Sequence, residues 1–280
     1  MKTFITILTS VFIFSINAQE FSGKAIYKTS SKSSIKFEEN QKGITDKMQK
    51  ELETRLQKMN QKTFFLEFDK NTSIYKEEEK LNAPNPKAAK GGVFIMSYGG
   101  SGNGSVYYKN IKEKRYVNQT EIMGKRFLVK DKLEDIKWEL STETKNIGNY
   151  TCYKATFSKK VEKMHMSLAN GDAKEVKEKE IIVTTAWYTT QIPLNNGPDD
   201  YQGLPGLILE INDGKRMIVC TEIILNPSKK ITIVEPKKGK VVNQKKFDEI
   251  QDKKSKEMLE KFKSRRGVDL GNGMNIKIGG

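Results

Sequence analysis

Short runs in which apolar and polar residues alternate occupy most of the chain after residue 105. Runs of roughly four to eight residues with this period of two, bounded by glycine or polar turns, are typical of strands in an antiparallel sheet. The predicted strands read VYYKN, KRYVNQTEIM, KRFLVKD, IKWELS, TCYKATFS and EIIVTTAWYTT. A polar stretch at residues 164–176 interrupts them. The pattern therefore predicts a domain dominated by one sheet.

Two helices and a further hairpin are predicted outside this region. Residues 21–29 read as a strand and residues 63–76 as a hairpin, while residues 44–61 have apolar side chains at helical spacing. That stripe consists of Ile44, Met48, Leu52, Leu56 and Met59. Residues 247–263 predict a second helix with a weaker stripe. The glycine-rich residues 91–105 lack the lysine and the following helix of a phosphate loop, which favours a flexible loop or hairpin tip.

The strongest hairpin signal is the Asp-Gly dipeptide at residues 213–214, which separates the apolar runs 207–211 and 217–224. Such a two-residue turn matches the twist of paired strands. It would place Leu209 opposite Ile218 and Leu207 opposite Cys220. Because both faces of this hairpin are apolar, we expect it to be central in the sheet or covered by another layer.

These patterns predict an α+β, β-dominated fold, with a single curved antiparallel sheet and one or two flanking helices. We divide the chain into a signal peptide at residues 1–18, a β-rich domain at residues 19–235, and a basic C-terminal helix with a glycine-rich tail at residues 236–280. The first segment has a lysine, a mostly apolar stretch too short to span a membrane, and a small residue at its end. We therefore expect an exported, soluble protein of the periplasm or outer envelope.

Positive charge is concentrated towards the C-terminus. The chain has a net charge of 50 − 35 = +15, and residues 228–266 contribute 14 − 6 = +8 of it. A basic region of this kind can bind an anionic surface such as lipid headgroups or an acidic polymer. No nucleic-acid partner is expected for an exported protein. The alternative is a solvated, lysine-rich helix that keeps the protein soluble.

The inventory of reactive side chains does not favour catalysis. The chain has a single histidine, His165, no Gly-x-Ser-x-Gly motif, and too few histidines and cysteines for a zinc cluster. We therefore predict no catalytic residue, no metal site and no cofactor. Carboxylates from distant segments could still form a hydrolase site. Cys152 and Cys220 lie in strand-like runs; export would permit a disulfide between them, and two buried free thiols are the alternative.

Residues 186–211 hold one of the two tryptophans, three of the seven prolines and three glycines. Such residues constrain the backbone, so this segment is tightly specified. A type II turn is predicted over residues 204–207, with Gly206 at positive φ. The residues assigned to this structural turn are Gly203, Pro205 and Gly206.

Upstream of the turn, the same segment contains aromatic and acidic side chains that could bind a ligand or partner. The candidates are Trp187, Tyr188, Asp199, Asp200 and Tyr201. In one interpretation they form a rigid binding lip, with the aspartates available to a basic or metal partner. In the other, they form a corner that serves folding alone.

The string Gly-Leu-Pro-Gly-Leu-Ile at residues 203–208, together with AWYT, IP and GP upstream, resembles the GLPGLI family. A weaker block covers residues 136–157 and includes Trp138, Tyr150 and Cys152. The chain departs from shorter relatives in its lysine-rich tail and in the helix near residue 50. The resemblance implies an exported protein of Bacteroidetes-like bacteria. It brings no established activity and no catalytic residues.

Three functions are consistent with these features. The first is a non-catalytic envelope protein that binds an apolar or amphiphilic ligand, such as a lipid, on the concave face of the sheet. The second is a protein-interaction module that docks on an outer-membrane or envelope complex through residues 187–206. The third is an uncharacterised hydrolase that uses two carboxylates.

Overall fold

The structure is a computed structural model that describes residues 21–31, 61–78, 105–169 and 172–264, together with Thr54. Side chains are described except at residues 162–178 and 258–264. The predicted signal peptide, most of the helix at residues 44–61, the glycine-rich segment before Ser105 and the tail after residue 266 lie outside the described residues. The side chain of His165 does so as well.

Twelve strands form one sheet, and one helix is described. The elements are β1 (Ser22–Ser31), β2 (Lys62–Asp69), β3 (Thr72–Glu77), β4 (Val106–Asn110), β5 (Arg115–Ile122), β6 (Lys125–Lys132), β7 (Glu139–Ile147), β8 (Tyr150–Ala169), β9 (Asp172–Thr189), β10 (Leu207–Asn212), β11 (Arg216–Leu225), β12 (Lys240–Val242) and α1 (Gln244–Ser264). Among the described residues, no helix has the length and apolar character needed to cross a bilayer.

The sheet is built from two runs of neighbouring hairpins. Its order is β12-β6-β5-β4-β3-β2-β1-β11-β10-β9-β8-β7. The chain proceeds outwards from β1 to β6, crosses to the opposite edge at β7, and returns to β11, which pairs with β1. Pairing of β1 with β11 therefore joins the two runs at the centre of the sheet. This pairing requires contacts between residues about two hundred positions apart, such as Tyr27 and Cys220.

The predicted fold class is wrong in the character of the sheet. The fold is β-dominated, but the sheet is large and mixed, because β12 runs parallel to β6. The physical reason is the way in which the chain connects β11 to β12. After β11 the chain makes no hairpin; residues 226–239 carry it to the far edge, where it enters β12 in the same direction as β6. A parallel pair requires a crossing of this kind.

The strands β8 and β9 extend far beyond their other neighbours. They pair with each other from Tyr153 opposite Tyr188 to Ala169 opposite Asp172. However, β8 pairs with β7 only up to Thr156, and β9 pairs with β10 only from Thr185. The polar stretch predicted to interrupt the strands is thus part of a two-stranded ribbon.

The hairpin between β10 and β11 forms, with a register two residues away from the predicted one. Ile211, rather than Leu209, lies opposite Ile218. The reason is the turn: the Asp213 N–H donates to the Arg216 carbonyl at 3.2 Å, so Gly214 and Lys215 are the two loop residues. The Asp213 carboxylate accepts from the backbone of Lys215 and Arg216, which fixes this turn.

The main core joins the centre of the sheet to the loop between β9 and β10. Burial of apolar side chains is the chief stabilising contribution there. The buried Tyr27 hydroxyl donates to the Ile208 carbonyl at 2.7 Å and so satisfies its polar end. Two smaller clusters lie near β6. Ile233 packs against one, and Phe247 of α1 belongs to the other, where it meets the ring of Phe127 at 5.7 Å.

The possible disulfide is not formed. Cys152 and Cys220 are both free and buried in the main core. The strands β8 and β11 are separated by β9 and β10, which places their backbones about 14 Å apart along the sheet. A disulfide needs Cα atoms within about 7 Å of each other. Burial raises the pKa of the Cys152 thiol to about 11 and that of Cys220 to about 12.

Candidate functional site

Residues 190–206, here called the connecting loop, leave β9 and enter β10 packed against the sheet. Ile192, Leu194 and Leu204 are all buried. Two backbone bonds attach the loop to β10: Leu207 N–H donates to the Ile192 carbonyl, and Ile208 N–H donates to the Asn196 carbonyl, each at 3.0 Å. The loop is therefore part of the core.

The glycines of the predicted turn have different functions from those expected. Positive φ is found at Gly203, with a φ of 98°, and not at Gly206, so the type II turn over residues 204–207 does not form. Gly206 is needed for space, because a Cβ there would lie 2.0 Å from the Thr189 carbonyl oxygen. Gly203 lies beside Trp138, whose Nε1 would be 3.4 Å from an added Cβ.

Within the connecting loop, residues 198–201 form a β-turn that we call the acidic turn. The Tyr201 N–H donates to the Pro198 carbonyl at 3.1 Å, which closes the turn. Asp199 has a φ of 53°, a conformation that side chains other than glycine adopt at a cost. Arg216 holds it there, with Nη1 3.1 Å from Asp199 Oδ2. Burial raises the pKa of the Tyr201 phenol, and the same guanidinium acts in the opposite direction.

Lys109 of β4 holds the acidic turn in place through two hydrogen bonds to its backbone. Its side chain is fully buried on β4, and Nζ donates to the Gly197 carbonyl at 2.7 Å and to the Tyr201 carbonyl at 3.1 Å. These two acceptors flank the turn, so one side chain pins both of its ends. Burial lowers the pKa of Lys109 to about 7, although Asp200 and Asp199 act in the opposite direction. A neutral amine still has two N–H donors for the two carbonyls.

Asp200 is exposed on the acidic turn. Desolvation by the surrounding protein, followed by the charge of Asp199, nevertheless raises the pKa of its carboxyl group to about 6. The positive charges of Lys109 and Arg216 act in the opposite direction. Within the described residues, no other side chain hydrogen-bonds Asp200. The carboxylate is thus available to a binding partner.

Three buried polar atoms near this turn form no hydrogen bond within the described part of the chain: Ser73 Oγ, Tyr75 Oη and Asn196 Nδ2. Ser73 lies directly opposite Lys109 on the neighbouring strand. The phenol of Tyr75 is close enough to Asp199 for that charge, after burial itself, to raise its pKa. Buried polar groups normally have partners, so these three atoms mark an incompletely satisfied part of the core next to the turn.

The two aromatic candidates lie apart from the acidic turn in their contacts. Trp187 is half-buried, with Lys145 Nζ 4.4 Å from the centre of its ring, and that lysine also pairs with Glu210 at 2.7 Å. Tyr188 is buried and meets the ring of Tyr153 at 6.0 Å. The structure therefore brings Asp199, Asp200 and Tyr201 together and leaves the two aromatics in the wall of the sheet.

The residues that hold the turn are not evident from the sequence. They are Lys109, Arg216 and the residues that support the turn from the connection between β6 and β7. There Trp138 Nε1 donates to the Gln202 carbonyl and Gln202 Nε2 donates to the Glu134 carbonyl, each at 2.8 Å. The sequence contains one local signal for Lys109. It lies two residues after Tyr107 and therefore shares a face of β4 with an aromatic side chain that packs against the main core.

Three features of the site limit the chemistry that its described side chains could perform. Ser73 and Lys109 resemble a nucleophile and its base, but both are fully buried, so a substrate could not reach them. Asp199 is engaged by Arg216, which leaves Asp200 without a second free carboxylate in the turn. Across the described ranges, no three His, Cys, Asp or Glu side chains gather as a metal site would require.

Comparison with known proteins gives a match without a function. Residues 138–210 match the model of a family described as a protein of unknown function, Porph_ging. The match includes the connecting loop and the acidic turn. No curated protein matches the chain.

Two solved structures are similar to the chain over most of its length. Both are structures of PNGF-II, one in space group C2 and one in P21. They share 15% and 14% sequence identity with 84% of this chain, at TM-scores of 0.46 and 0.45. The chain spans about a third of the length of those proteins, 33% and 34%.

Proposed function

We propose that this chain is an exported, non-catalytic envelope protein of the GLPGLI type that docks on a partner through the acidic turn. The observation that carries the proposal is the combination of a fixed backbone and a free charge. Lys109 pins both ends of the turn, and Arg216 holds Asp199 in a strained conformation. Asp200, between them, is exposed and has no side-chain partner within the described residues.

The energetic cost of Asp200 supports a binding function. A raised pKa means that the folded protein disfavours the ionised carboxylate. Groups that the fold disfavours are concentrated at functional sites. A cationic group on a partner would relieve this cost, so we propose that the partner presents a lysine or arginine side chain. Because the turn is already ordered, little conformational entropy would be lost on binding.

Affinity purification from the source cells tests the proposal. We expect a partner to co-purify with the wild-type chain at low salt and to be lost with Asp200→Asn. Asp252→Asn is the matched control, since that aspartate is exposed on α1. Because Asp200 has no side-chain partner, Asp200→Asn should fold normally. Equal recovery of the same species by all three chains would rule out docking through Asp200.

A second candidate is binding of an apolar or amphiphilic ligand such as a lipid. It is supported by Ile181 and Val183, which are 60% and 54% exposed and share one face of β9. Native mass spectrometry of the purified chain would detect such a ligand. The double variant Ile181→Ser and Val183→Ser should then release it. Retention of the ligand by this variant would place it elsewhere.

A further inference from the structure

The edge of the sheet at β12 combines positive charge with exposed apolar side chains. Here we call this surface the basic edge. It comprises Met123, Lys125, Arg126, Lys237, Lys238, Lys240 and Val241. All five cations are exposed. Met123 is 54% exposed and Val241 is 61% exposed.

Strand pairing brings these residues to one place. Lys240 of β12 lies opposite Phe127 of β6, and the two strands are parallel. A Cβ at Gly239 would lie 2.8 Å from the backbone of Phe127, so the segment before β12 follows β6 closely. Lys238 immediately precedes Gly239, and Lys125 begins β6 two residues before Phe127. Lys125 is next to the turn that joins β5 to β6.

Met123 occupies the tip of that turn in an unusual conformation. The two loop residues, Met123 and Gly124, have φ values of 50° and 79°, as in a type I′ turn. Such a turn favours asparagine, aspartate or glycine at its first position, where methionine is strained. A strained, exposed methionine thus projects beyond a group of cations. Folding alone would favour a different residue there.

We propose that the basic edge is a docking surface for an anionic lipid bilayer. Met123 and Val241 would enter the boundary between headgroups and acyl chains, while the five cations contact lipid phosphates. Within the described part of the chain, the acidic side chains recorded near the basic edge are already paired. Glu121 lies 3.7 Å from Arg126, and Glu235 is already engaged by Arg115 and Lys130. A soluble polyanion would use the cations and leave the apolar tip without a function.

Co-sedimentation of the full chain with vesicles tests this proposal. We expect binding to phosphatidylcholine vesicles that contain phosphatidylglycerol, none to pure phosphatidylcholine, and a loss of binding as salt is added. The double variant Lys125→Gln and Lys238→Gln should weaken binding about thirtyfold, at roughly fivefold for each lysine. The control, Lys70→Gln and Lys112→Gln, makes the same change in charge at turns on the opposite end of the strands. It should alter binding by less than about twofold.

Met123→Asn separates insertion from simple charge attraction. Asparagine suits the type I′ turn better than methionine, so this variant should fold at least as well. We expect it to weaken vesicle binding about tenfold, because it removes the apolar tip. The proposal is overturned if the wild-type chain does not bind anionic vesicles at low salt. It is also overturned if both lysine pairs have equal effects, or if Met123→Asn binds like the wild type. Those results would mean that the cations only protect the sheet edge or attract anions without specificity.

Discussion

Lys109 and Asp200 lie on opposite sides of the acidic turn, and the fold disfavours the charge of each. Lys109 is fully buried and has its pKa lowered by burial, whereas Asp200 faces solvent and has its pKa raised. They differ in their contacts. Lys109 donates to two backbone carbonyls and thereby holds the turn, while Asp200 has no side-chain partner in the described chain. Lys109 therefore serves the fold, whereas Asp200 is the residue through which we propose docking.

Replacement of Lys109 by methionine should destabilise the protein by about 2–4 kcal/mol, because the Gly197 and Tyr201 carbonyls would lose their donor. Urea unfolding measures the change. Lys160→Met removes an exposed lysine from β8 and should change the free energy of unfolding by less than about 0.5 kcal/mol. Equal effects of the two substitutions would show that Lys109 does not hold the turn.

The two shifted pKa values predict opposite pH dependences of stability. Between pH 7 and 10.5 the unfolded chain retains the proton of Lys109 and the folded chain releases it, so stability should rise with pH. Between pH 3.8 and 6 the folded chain retains the proton of Asp200, so stability should fall as pH rises. Urea unfolding across both windows should show that Lys109→Met removes the first dependence and Asp200→Asn the second. If both variants showed the same pH dependence of stability as the wild type, the two pKa shifts would be contradicted.

The candidate residues of the turn could be named from the sequence, but their supports could not. The prolines and glycines around Asp199, Asp200 and Tyr201 signal a fixed backbone locally. Lys109 and Arg216 lie far away in sequence, and a lysine in an alternating strand is normally a solvent-facing residue. Lys109 reaches the turn only because β4 and the connecting loop lie together in the folded protein. The positive φ at Asp199 was equally invisible.

At the scale of elements, the connecting loop is held by close backbone contact at Gly206. The sequence marked Gly206 as a turn residue, but the structure shows that the position is constrained by space. The loop and β9 approach each other so closely there that no side chain fits. A backbone atom cannot rotate away as a side chain can, so the contact fixes the path of the loop into β10.

Gly206→Ala should therefore cost about 2–4 kcal/mol, since its Cβ would meet the Thr189 carbonyl. Gly214→Ala provides the comparison. Gly214 has a φ of 86° but nothing within 4 Å of an added Cβ, so only backbone strain of about 1–2 kcal/mol is expected. Thermal or urea unfolding of both variants gives the order of the two costs. If Gly214→Ala were the more damaging change, conformation rather than space would govern this segment.

Most strands and the C-terminal helix were predictable, because alternation and helical periodicity are local properties of a sequence. The hairpin of β2 and β3 forms around Asp69, which accepts from the backbone of Asn71 and Thr72. The register of β10 and β11 was missed by two residues because Asp213 pairs with Arg216 instead of occupying the loop. The parallel strand β12 has three residues and no local signal of its direction.

At the scale of the whole molecule, strand order decides which distant residues meet. The pairing of β1 with β11 and the return of β12 to β6 are long-range contacts that no hydrophobic period encodes. The same order explains the free cysteines, since it separates β8 from β11. A prediction of a single antiparallel sheet failed for this reason, although the strands themselves were largely in place.

The two thiols should be unreactive in the native protein. Both are buried, and burial raises the pKa of each well above neutral pH. Alkylation followed by mass spectrometry should show no labelling in the folded state and two labels after unfolding without reductant. Absence of labelling even after unfolding would reveal a disulfide and contradict the strand order.

Docking through the acidic turn is the central claim, and comparison of co-purifying species between wild type and Asp200→Asn tests it most directly. Purification from the source cells at low salt, with Asp252→Asn as control, should give one species that the wild type and control share. Asp200→Asn should reduce its recovery about fivefold or more, as expected for the loss of a charged contact. Unchanged recovery with Asp200→Asn would contradict the claim.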